Sequence, residues 1–369
     1  MKVTATRTER PASYRRAASL LAECAESGAR VRVRGGGTKL GWGRVVPDPD
    51  VELSTAALVR VVEHNAGDMT AVLQAGVPLA RAQETFAAAG QMLALDPPDD
   101  GATVGGVVAT GDSGPLRHRY GAPRDLVLGV TAALTSGEVV RAGGKVIKNV
   151  AGYDLSKLLA GSFGTLALIT EVAVRLHPLP AATATAVFAS SDPDALAGAA
   201  ASLTHAALES QSLDVRWSGG EGAVLARFTG RTAADQAAAA ARTAGGEVVE
   251  DDDELWASQR AAQRGAVVVR VSGLQSQLPS AVAAAEGLGG SLVGRAALGL
   301  WWVSLPDADA AAIRSLRERL APFACVVLDA PDALRAEVDP WGVDEPSVLT
   351  RRVRERFDPH GVLNRGVFV

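Results

Sequence analysis

Three glycine-rich clusters in the first half of the chain could bring backbone close to a ligand. They are Arg34–Thr38, Thr103–Gly114 and Gly161–Thr165. Glycine has no Cβ and tolerates positive φ, and successive backbone N–H groups in such a loop form a concavity that suits phosphate. Each cluster alone is typical of an ordinary turn. Together they exceed what the turns of one domain require, and they favour a long dinucleotide ligand.

The familiar nucleotide and nucleophile motifs do not fit these clusters. Gly35-Gly36-Gly37-Thr38-Lys39-Leu40 has leucine where a Rossmann fingerprint needs its third glycine. Gly143-Gly144-Lys145-Val146 lacks both the upstream glycine and the hydroxyl of a P-loop. Gly111-Asp112-Ser113-Gly114-Pro115 resembles a serine nucleophile loop, but it breaks the GxSxG pattern and no histidine lies in a recognisable partner motif. NAD, ATP and nucleophilic hydrolysis are therefore disfavoured.

Composition narrows the ligand class further. The 369 residues predict about two folded domains. Lys+Arg 37 against Asp+Glu 41 gives a net charge of −4, and without a long basic block no nucleic-acid partner is indicated. Cys24 and Cys325 are too few and too distant for an iron–sulfur cluster, a thiolate metal site or a disulfide framework. We expect a small ligand and a reducing cytosol.

The chain also lacks the sequence features of a membrane or secreted protein. The first ten residues contain no apolar signal core, and no stretch reaches the ~20 apolar residues of a membrane span. The expected location is cytoplasmic, or peripheral at the inner membrane through a partner.

Hydrophobic periodicity predicts α+β elements around the glycine clusters. Residues 12–28 form a helical pattern that ends at Gly28, and Val31–Arg34 alternates as a strand that leads into the first cluster. A helix is expected from Pro78 to Gly90. Further strands are expected at Thr70–Gly76, Leu126–Leu134, Val139-Val140 and Leu166–Leu176. Residues 96–123 are rich in turn formers and predict a long, ordered functional loop without regular elements.

The second half changes character after His177-Pro178-Leu179-Pro180 and becomes rich in alanine. Predicted helices are Asp194–Ala207, Ala233–Ala244 and Ser280–Gly287, and predicted strands are Leu213–Trp217, Val224–Phe228, Val267–Val271 and Leu300–Leu305. This alternation favours an antiparallel sheet covered by helices. The five acids Glu250–Glu254 are expected on a solvated surface.

The order of the motifs carries a specific family resemblance. Arg34–Thr38, Gln74–Val77, Ala102–Thr110 and Tyr120–Gly129 follow one another as in the FAD-binding domain of the vanillyl-alcohol-oxidase (PCMH-type) flavoproteins. Lys148–Leu158 followed by Gly161–Glu171 resembles the branch that oxidises D-lactate and glycolate. The length, the short middle region and the Phe357-Asp358-Pro359 tail are most similar to the FAD-binding subunits of bacterial glycolate oxidases.

The resemblance implies a fold and a domain division. A PCMH-type FAD-binding domain of two α/β subdomains would span residues 1–178, with subdomains of about 1–50 and 51–178. A cap domain with an antiparallel sheet and helices would span 179–330, and 331–369 would return to the FAD domain. FAD is expected to be non-covalent, because Thr38 stands where covalent relatives often carry histidine. No metal site is expected.

The resemblance also implies which residues contact FAD. Backbone N–H groups of the first cluster would hold the pyrophosphate, and the later motifs would line the pyrophosphate and the flavin. The residues assigned to the cofactor are Arg34, Gly35, Gly36, Gly37, Thr38, Gly76, Thr103, Gly105, Gly106, Thr110, Ser113, Gly114, Tyr120, Arg124, Gly161, Gly164 and Ile169.

Substrate chemistry has thin support in the sequence. Oxidation of a 2-hydroxy acid needs a base for the hydroxyl proton and a cation for the carboxylate. Arg124, His118 and Lys148 are the weak catalytic candidates, with Arg117 and Arg119 as further cations. The histidine-rich segment of the catalytic relatives is missing. The leading hypothesis is therefore an FAD-binding subunit that works with a catalytic flavoprotein subunit and an iron–sulfur subunit.

Two rival hypotheses stay open. The chain could be a self-sufficient FAD-dependent oxidase of an alcohol or hydroxy acid. It could also be a non-catalytic assembly subunit in which FAD is structural or absent.

Overall fold

A computed structural model describes residues 7–145, 154–342 and 347–368 as sheets with helices packed on them. The helices are α1 (Tyr14–Ser27), α2 (Leu79–Ala87), α3 (Val104–Thr110), α4 (Arg117–Tyr120), α5 (Pro123–Leu126), α6 (Leu155–Leu159), α7 (Pro193–His205), α8 (Ala233–Ala244), α9 (Asp253–Ala261), α10 (Leu278–Glu286), α11 (Ala310–Arg319), α12 (Asp332–Glu337) and α13 (Val348–Phe357). The strands are β1 (Arg7–Glu9), β2 (Val31–Arg34), β3 (Val51–Ser54), β4 (Val61–Asn65), β5 (Thr70–Gln74), β6 (Gln91–Met92), β7 (Val127–Ala133), β8 (Val139–Gly143), β9 (Leu168–Arg175), β10 (His177–Pro178), β11 (Thr183–Ser190), β12 (Ser212–Ser218), β13 (Glu221–Thr229), β14 (Glu247–Val249), β15 (Val268–Ser272), β16 (Ser291–Arg295), β17 (Leu300–Ser304) and β18 (Ala324–Asp329).

The strands form three main sheets. A small parallel sheet has the order β1-β3-β2, and an antiparallel five-stranded sheet has the order β4-β5-β9-β7-β8. A large antiparallel sheet has the order β14-β11-β13-β12-β16-β17-β15-β18, and its strands all come from residues 183–329. The predicted α+β fold is confirmed, including the antiparallel sheet of the second half. The domain boundaries themselves stay a prediction.

The N-terminal helix and strand place the first glycine cluster. The Ser13 side chain accepts a hydrogen bond from the N–H of Arg16 and so caps α1, and Gly28 ends the helix in the left-handed region. Leu20 and Leu21 are buried in one cluster with residues of β2 and β3. This packing fixes β2 so that its last residue leads directly into Gly35–Thr38.

The C-terminal segment lies along the outer edge of β2. The N–H of Val31 donates to the carbonyl of Val362 at 2.9 Å, and the N–H of Asn364 donates to the carbonyl of Val31 at 2.8 Å. The edge strand is therefore paired on both sides, and residues from opposite ends of the chain meet beside the first glycine cluster.

The prediction of an irregular loop over residues 96–123 is wrong in part, because α3 and α4 lie within it. The Thr103 side chain accepts from the N–H of Gly106, and Gly111 closes α3 with a φ of +68°. A capped start and a left-handed glycine end are enough to define a seven-residue helix in a glycine-rich segment.

The large sheet has two faces with different neighbours. One face carries Val269, Trp301 and Val303 and belongs to the main core with helices α7, α8, α10 and α11. The opposite face, which we call the inner face, carries Val268 and Trp302 and packs with Trp42 beside the first glycine cluster. The inner face is where the second half of the chain meets the first.

A fully buried ion pair anchors the inner face to the loop that follows α3. Arg295 of β16 donates to Asp214 of β12 at 2.7 Å, and neither side chain is exposed. Arg295 also donates through Nε to the carbonyl of Gly114 at 2.9 Å and contacts Gln263 through Nη2. Burial raises the pKa of Asp214 to about 6, although Arg295 and Gln259 favour its ionised form.

The expectation of a solvated acidic run at 250–254 is wrong for one residue. Asp252 is 1% exposed and accepts hydrogen bonds from Thr183, Thr185 and Arg227. Its ion pair with Arg227, at 2.6 Å, holds the start of α9 against the large sheet. A buried carboxylate requires such partners, since its desolvation would otherwise be too costly.

Replacing Arg295 with methionine should lower the free energy of unfolding by about 3–5 kcal/mol, because the Asp214 carboxylate then stays buried without its cation. The loss should be larger at pH 8 than at pH 5. Burial keeps the pKa of this carboxyl high, so it is protonated in the folded variant at pH 5 and loses that stabilisation as the pH rises. Urea unfolding followed by tryptophan fluorescence measures both effects.

The double variant Arg295→Met with Asp214→Leu is the control. It should recover part of the loss, since the buried charge is gone, while the Gly114 carbonyl and Gln263 still lack their donor. Equal losses in the single and double variants at both pH values would contradict the central role of this pair.

Candidate cofactor site

A cleft of about 580 Å³ lies between the first glycine cluster, α3, the turn before β9 and the C-terminal segment. This size is within the ~300–1,000 Å³ typical of small-molecule sites. Basic residues outnumber acidic ones on its walls. The basic residues are Arg30, Arg32, Lys39, Arg44, Arg335 and Arg365, and the acidic residues are Asp48 and Asp332. The balance of charge favours an anionic ligand.

The first glycine cluster lies directly on the segment that precedes α3. A Cβ on Gly36 would lie 1.9 Å from the carbonyl oxygen of Gly101, and a Cβ on Gly35 would lie 2.4 Å from the Thr103 Oγ1. Gly37 has a φ of +82°. Glycine is thus required here by close packing and by backbone conformation.

The backbone N–H groups of this cluster are available to a ligand. Within the described part of the chain, those of residues 35–39 donate to no other group. The loop itself is held by neighbouring bonds, including Thr55 N–H to the Arg34 carbonyl at 2.9 Å and Leu40 N–H to the Gly37 carbonyl at 3.4 Å. Successive unpaired N–H groups that border a basic cleft form a site for phosphate.

The two glycines at the start of α3 have different roles. A Cβ on Gly105 would lie 2.5 Å from the Ala75 Cβ, so Gly105 permits α3 to pack on the end of β5. A Cβ on Gly106 would meet only the Thr103 Oγ1, at 3.0 Å, within 4 Å. Both residues line the cleft, but only Gly106 leaves open space for a ligand.

Asn364 joins three walls of the cleft. Its Oδ1 accepts from the N–H of Val33 at 2.8 Å, and its Nδ2 donates to the carbonyl of Phe163 at 2.5 Å. A Cβ on Gly164 would lie 2.9 Å from this Nδ2. Sequence reasoning noticed the tail that carries Asn364 but assigned this residue no role.

Two arginines bring buried, unpaired donors to the cleft. Arg335 donates to the Gly43 carbonyl at 2.9 Å and to Asp332 at 2.6 Å, but its buried Nε has no partner in the described chain. The buried Nε of Arg32 is also unpaired, while its Nη2 donates to Glu52 at 3.0 Å. Neither arginine was predicted as a site residue. Such donors fit the negative charge of a diphosphate.

Ten of the seventeen residues assigned to the cofactor come together in this cleft. They are Gly35, Gly36, Gly37, Thr38, Thr103, Gly105, Gly106, Thr110, Gly164 and Ile169. The seven others lie outside its lining: Arg34, Gly76, Ser113, Gly114, Tyr120, Arg124 and Gly161. Their contacts with the cofactor stay a prediction.

Several of these seven have other contacts. Arg34 is paired with Glu52 at 3.1 Å, and a Cβ on Gly76 would lie 2.0 Å from the Thr55 carbonyl oxygen. The Tyr120 ring contacts the His177 ring, with centroids 4.5 Å apart and ring planes inclined by 53°. The Gly161 N–H donates to the carbonyl of Val108. The Ser113 carbonyl accepts from Gln263, which follows α9, and the Gly114 carbonyl accepts from Arg295 of the large sheet.

Two of the three weak catalytic candidates, Arg124 and His118, lie within the described residues. Arg124 is exposed on α5, and Lys148 lies outside the described residues. His118 contacts the Ser210 hydroxyl through Nε2 at 3.0 Å, and its buried Nδ1 has no partner. Burial, together with Arg119 and Arg295, lowers the pKa of His118, so the ring is neutral at pH 7.

A four-charge cluster closes the cleft on the side of the large sheet. Lys39 lies 2.9 Å from Asp99 and 3.2 Å from Asp112, and Arg264 contacts the same two carboxylates at 2.8 and 2.7 Å. Both cations lie over the Trp42 ring, Arg264 at 4.9 Å from its centroid. Sequence reasoning missed this cluster because its members are up to 225 positions apart.

The comparisons with known proteins agree with this geometry. Residues 6–143 match the FAD binding domain family. Over these residues the chain is similar to FAD-binding domains. Its predicted resemblance to the PCMH-type flavoproteins and its predicted cofactor, FAD, are confirmed.

Relatives match over part of the chain. The glycolate oxidase subunit GlcE of Escherichia coli (strain K12) is 42% identical over 125 residues, which are 33% of this chain and 36% of that protein. A D-lactate dehydrogenase of Archaeoglobus fulgidus is 37% identical over 169 residues, which are 46% of this chain and 38% of that protein. The matched region thus spans less than half the length of these curated relatives.

A solved structure shows the same fold over nearly the whole chain. An alkyldihydroxyacetonephosphate synthase superposes with a TM-score of 0.71 at 15% identity and covers 97% of this chain and 76% of its own. At this identity the likeness describes the fold alone.

The cleft fits the FAD of this domain. Unpaired backbone N–H groups, two buried arginine Nε donors and the open side of Gly106 match a ligand with a diphosphate and an extended shape. Over residues 7–145, 154–342 and 347–368, no group of three or more His, Cys, Asp and Glu is placed to hold a metal ion. In the same residues, every helix is too short or too polar to span a membrane.

Replacing Gly106 with leucine should weaken FAD binding by roughly 10- to 100-fold, which corresponds to the ~1–3 kcal/mol that overpacking costs. The new side chain would occupy the open side of α3 in the cleft. Titration of the FAD-free chain with FAD, followed by flavin fluorescence, measures the affinity.

Gly198→Leu is the matched control, since Gly198 lies exposed on α7 and a Cβ there meets nothing within 4 Å. This variant should bind FAD like the original chain. Unchanged affinity in Gly106→Leu would contradict the position of α3 in the cofactor site.

Proposed function

We propose that this chain is the FAD-binding subunit of a 2-hydroxy acid oxidoreductase complex that acts on glycolate or D-lactate. The observation that carries the proposal is the basic cleft, whose unpaired N–H groups and arginines suit FAD. The similarity to a glycolate oxidase subunit and to a D-lactate dehydrogenase supplies the substrate class. Bound FAD would accept two electrons from the acid and release them to a partner.

The proposed electron acceptor is an iron–sulfur subunit. Cys24 and Cys325 are both free and buried, Cys24 on α1 and Cys325 on β18, so they hold no cluster together. Burial also raises the pKa of both thiols, which disfavours the thiolate that a metal requires. A cluster that receives electrons from this flavin would therefore belong to another chain, with the catalytic flavoprotein subunit as the second partner.

The roles of the chain's own residues follow from the cleft. Gly35–Thr38 would bind the diphosphate through backbone N–H groups, and Arg32 and Arg335 would add charge to the same end. The FAD would be non-covalent, with Thr38 beside it. Residues 1–178 with 331–369 would form the FAD domain, and 179–330 would form a cap that shields the site from water.

A self-sufficient oxidase is the second candidate function, and one observation favours it. In the described residues, the side chains of Arg117 on α4 and Arg270 on β15 form no ion pair, and the buried Nε of Arg270 has no hydrogen-bond partner. A substrate acid needs such a cation, and a chain that only relays electrons has no use for one. The neutral His118 next to Arg117 would then be the base to test.

A visible absorption spectrum of the purified chain, taken before and after anaerobic addition of glycolate or D-lactate, separates these functions. If the chain is a subunit of the complex, the isolated chain should show a flavin band that neither glycolate nor D-lactate bleaches. Acid denaturation should release this flavin into solution, because it is bound non-covalently. The same chain, purified together with its native partners, should contain iron and should be bleached.

The other outcomes decide between the rivals. Bleaching of the isolated chain would replace the proposal with the self-sufficient oxidase. A native assembly without iron, or one whose flavin neither acid reduces, would overturn the proposed complex. A chain that retains no FAD would favour the assembly subunit.

A further inference from the structure

Helix α13 is packed less closely against the protein than the other long helices. Every other helix of eight or more residues in the described chain has at least two buried residues, whereas α13 has none. Val353 and Phe357 are partly buried and pack on the core cluster beside the five-stranded sheet. Contact with the body of the protein is thus confined to one side of α13.

The sequence specifies the start of α13 although its first turn is exposed. The Ser347 side chain accepts from the N–H of Thr350 at 3.1 Å and so caps the helix. Val348 and Leu349, the first two helical residues, are 61% and 72% exposed. Leu349 is the most exposed large hydrophobic residue in the described chain. A capped helix start therefore holds two large apolar side chains in water.

Two arginines extend this apolar pair into one stripe along the helix. Residues three or four positions apart lie on the same side of an α-helix, so Arg352 and Arg356 follow Val348 and Leu349 along one face. Both arginines are exposed. We call Val348, Leu349, Arg352 and Arg356 the exposed α13 face. It lies away from the side of the helix that packs on the core.

The arginines of this face have no acidic partner. Within the part of the chain that the structure describes, Arg352 and Arg356 make no ion pair and no side-chain hydrogen bond. They are four positions apart, and like charges at this spacing destabilise a helix. The chain as a whole has a net charge of −4, so the basic character is local. The exposed α13 face therefore carries positive charge that the surrounding protein does not neutralise.

The composition of this face identifies the kind of partner that fits it. Exposed apolar side chains next to arginines are typical of protein interfaces, which are enriched in arginine. A lipid surface fits less well, because membrane-bound helices carry a long apolar stripe and only the first turn of this face is apolar. A second copy related by a two-fold axis through this face would bring the arginines against each other. Charge complementarity instead favours an acidic surface on a different protein.

We propose that the exposed α13 face docks on an acidic surface of a partner subunit of the complex. Val348 and Leu349 would enter an apolar recess, and Arg352 and Arg356 would pair with carboxylates at its edge. This inference rests on the proposed function, which supplies the partner subunits, and it adds the surface through which the chain is held. None of these four residues lines the FAD cleft, so docking and cofactor binding are separate properties of the chain.

Leu349→Asp tests the apolar end of the face. An aspartate at the second helical position suits the positive end of the helix dipole, so α13 should stay formed while the apolar side chain is lost. The FAD-loaded chain is mixed with the catalytic flavoprotein and iron–sulfur subunits, and sedimentation velocity measures the dissociation constant. Leu349→Asp should raise this constant at least about tenfold. Leu274→Asp is the matched control, because Leu274 is 60% exposed and follows β15 of the large sheet, and it should leave the constant unchanged.

The double variant Arg352→Glu with Arg356→Glu tests the basic end. It should raise the dissociation constant at least about tenfold at low salt. The difference from the original chain should shrink at high salt, because salt screens exposed charges. The control is Arg216→Glu with Arg314→Glu, two exposed arginines that make no ion pair in the described residues. It should bind like the original chain at both salt concentrations.

Three results would overturn the inference. The first is an equal dissociation constant at low salt in the original chain and in both α13 variants. The second is self-association of the isolated chain that Leu349→Asp abolishes, which would make a second copy the occupant. The third is binding to phosphatidylglycerol vesicles that both α13 variants lose while the complex still forms, which would make a lipid surface the occupant.

The flavin band and the unfolding temperature of each variant show whether it is folded. Both should match the original chain, since substitutions of exposed residues change stability little. Leu349→Ser, or Arg352→Gln with Arg356→Gln, replaces a variant that does not fold. Failure of the proposed function would appear in the original chain itself, as absence of FAD or of the complex before any residue is changed.

Discussion

The segment between β6 and α5 carries two carboxylates that must neutralise buried cations from both halves of the chain. The position of the cofactor cleft depends on this constraint. Asp99 and Asp112 of this segment contact Lys39, which directly follows the first glycine cluster, and Arg264 from the second half of the chain. Two carboxylates with two cations give no net charge, and the Trp42 ring covers the cluster. Removal of one member would leave a charge in a site that water reaches poorly, so the four residues fix one another's elements together.

This constraint also explains why the segment is so rich in glycine. A Cβ on Gly36, Gly105 or Gly114 would lie within 2.5 Å of other protein atoms. These glycines allow the segment to lie against its neighbours closely enough for the ion pairs to form. Gly106 differs, because its open side faces the cleft. The glycine pattern therefore reflects both packing and ligand binding, and only the structure separates the two.

Local sequence patterns located many of the elements but none of the charge pairs. Helix α8 was predicted with its observed bounds, because periodicity acts over neighbouring positions. Four of the eight strands of the large sheet, β12, β13, β15 and β17, were located within a few residues, and the other four were not predicted. Asp252 shows the limit. Within a run of five acids it has no local feature that marks it as buried, and its partner Arg227 is 25 positions away. Asn364 and Phe163, which meet at the cleft, are separated by 201 positions.

The arginines on the inner face of the large sheet differ in whether the protein supplies their hydrogen-bond and ion-pair partners. Towards β12 and β16, Arg295 has a carboxylate and two further oxygen partners, and it holds the loop after α3 in place. Towards β15, the Arg270 side chain has no ion pair or hydrogen bond within the part of the chain that the structure describes, and its Nε is buried. Arg295 has a structural role, since its hydrogen bonds join the two halves of the chain.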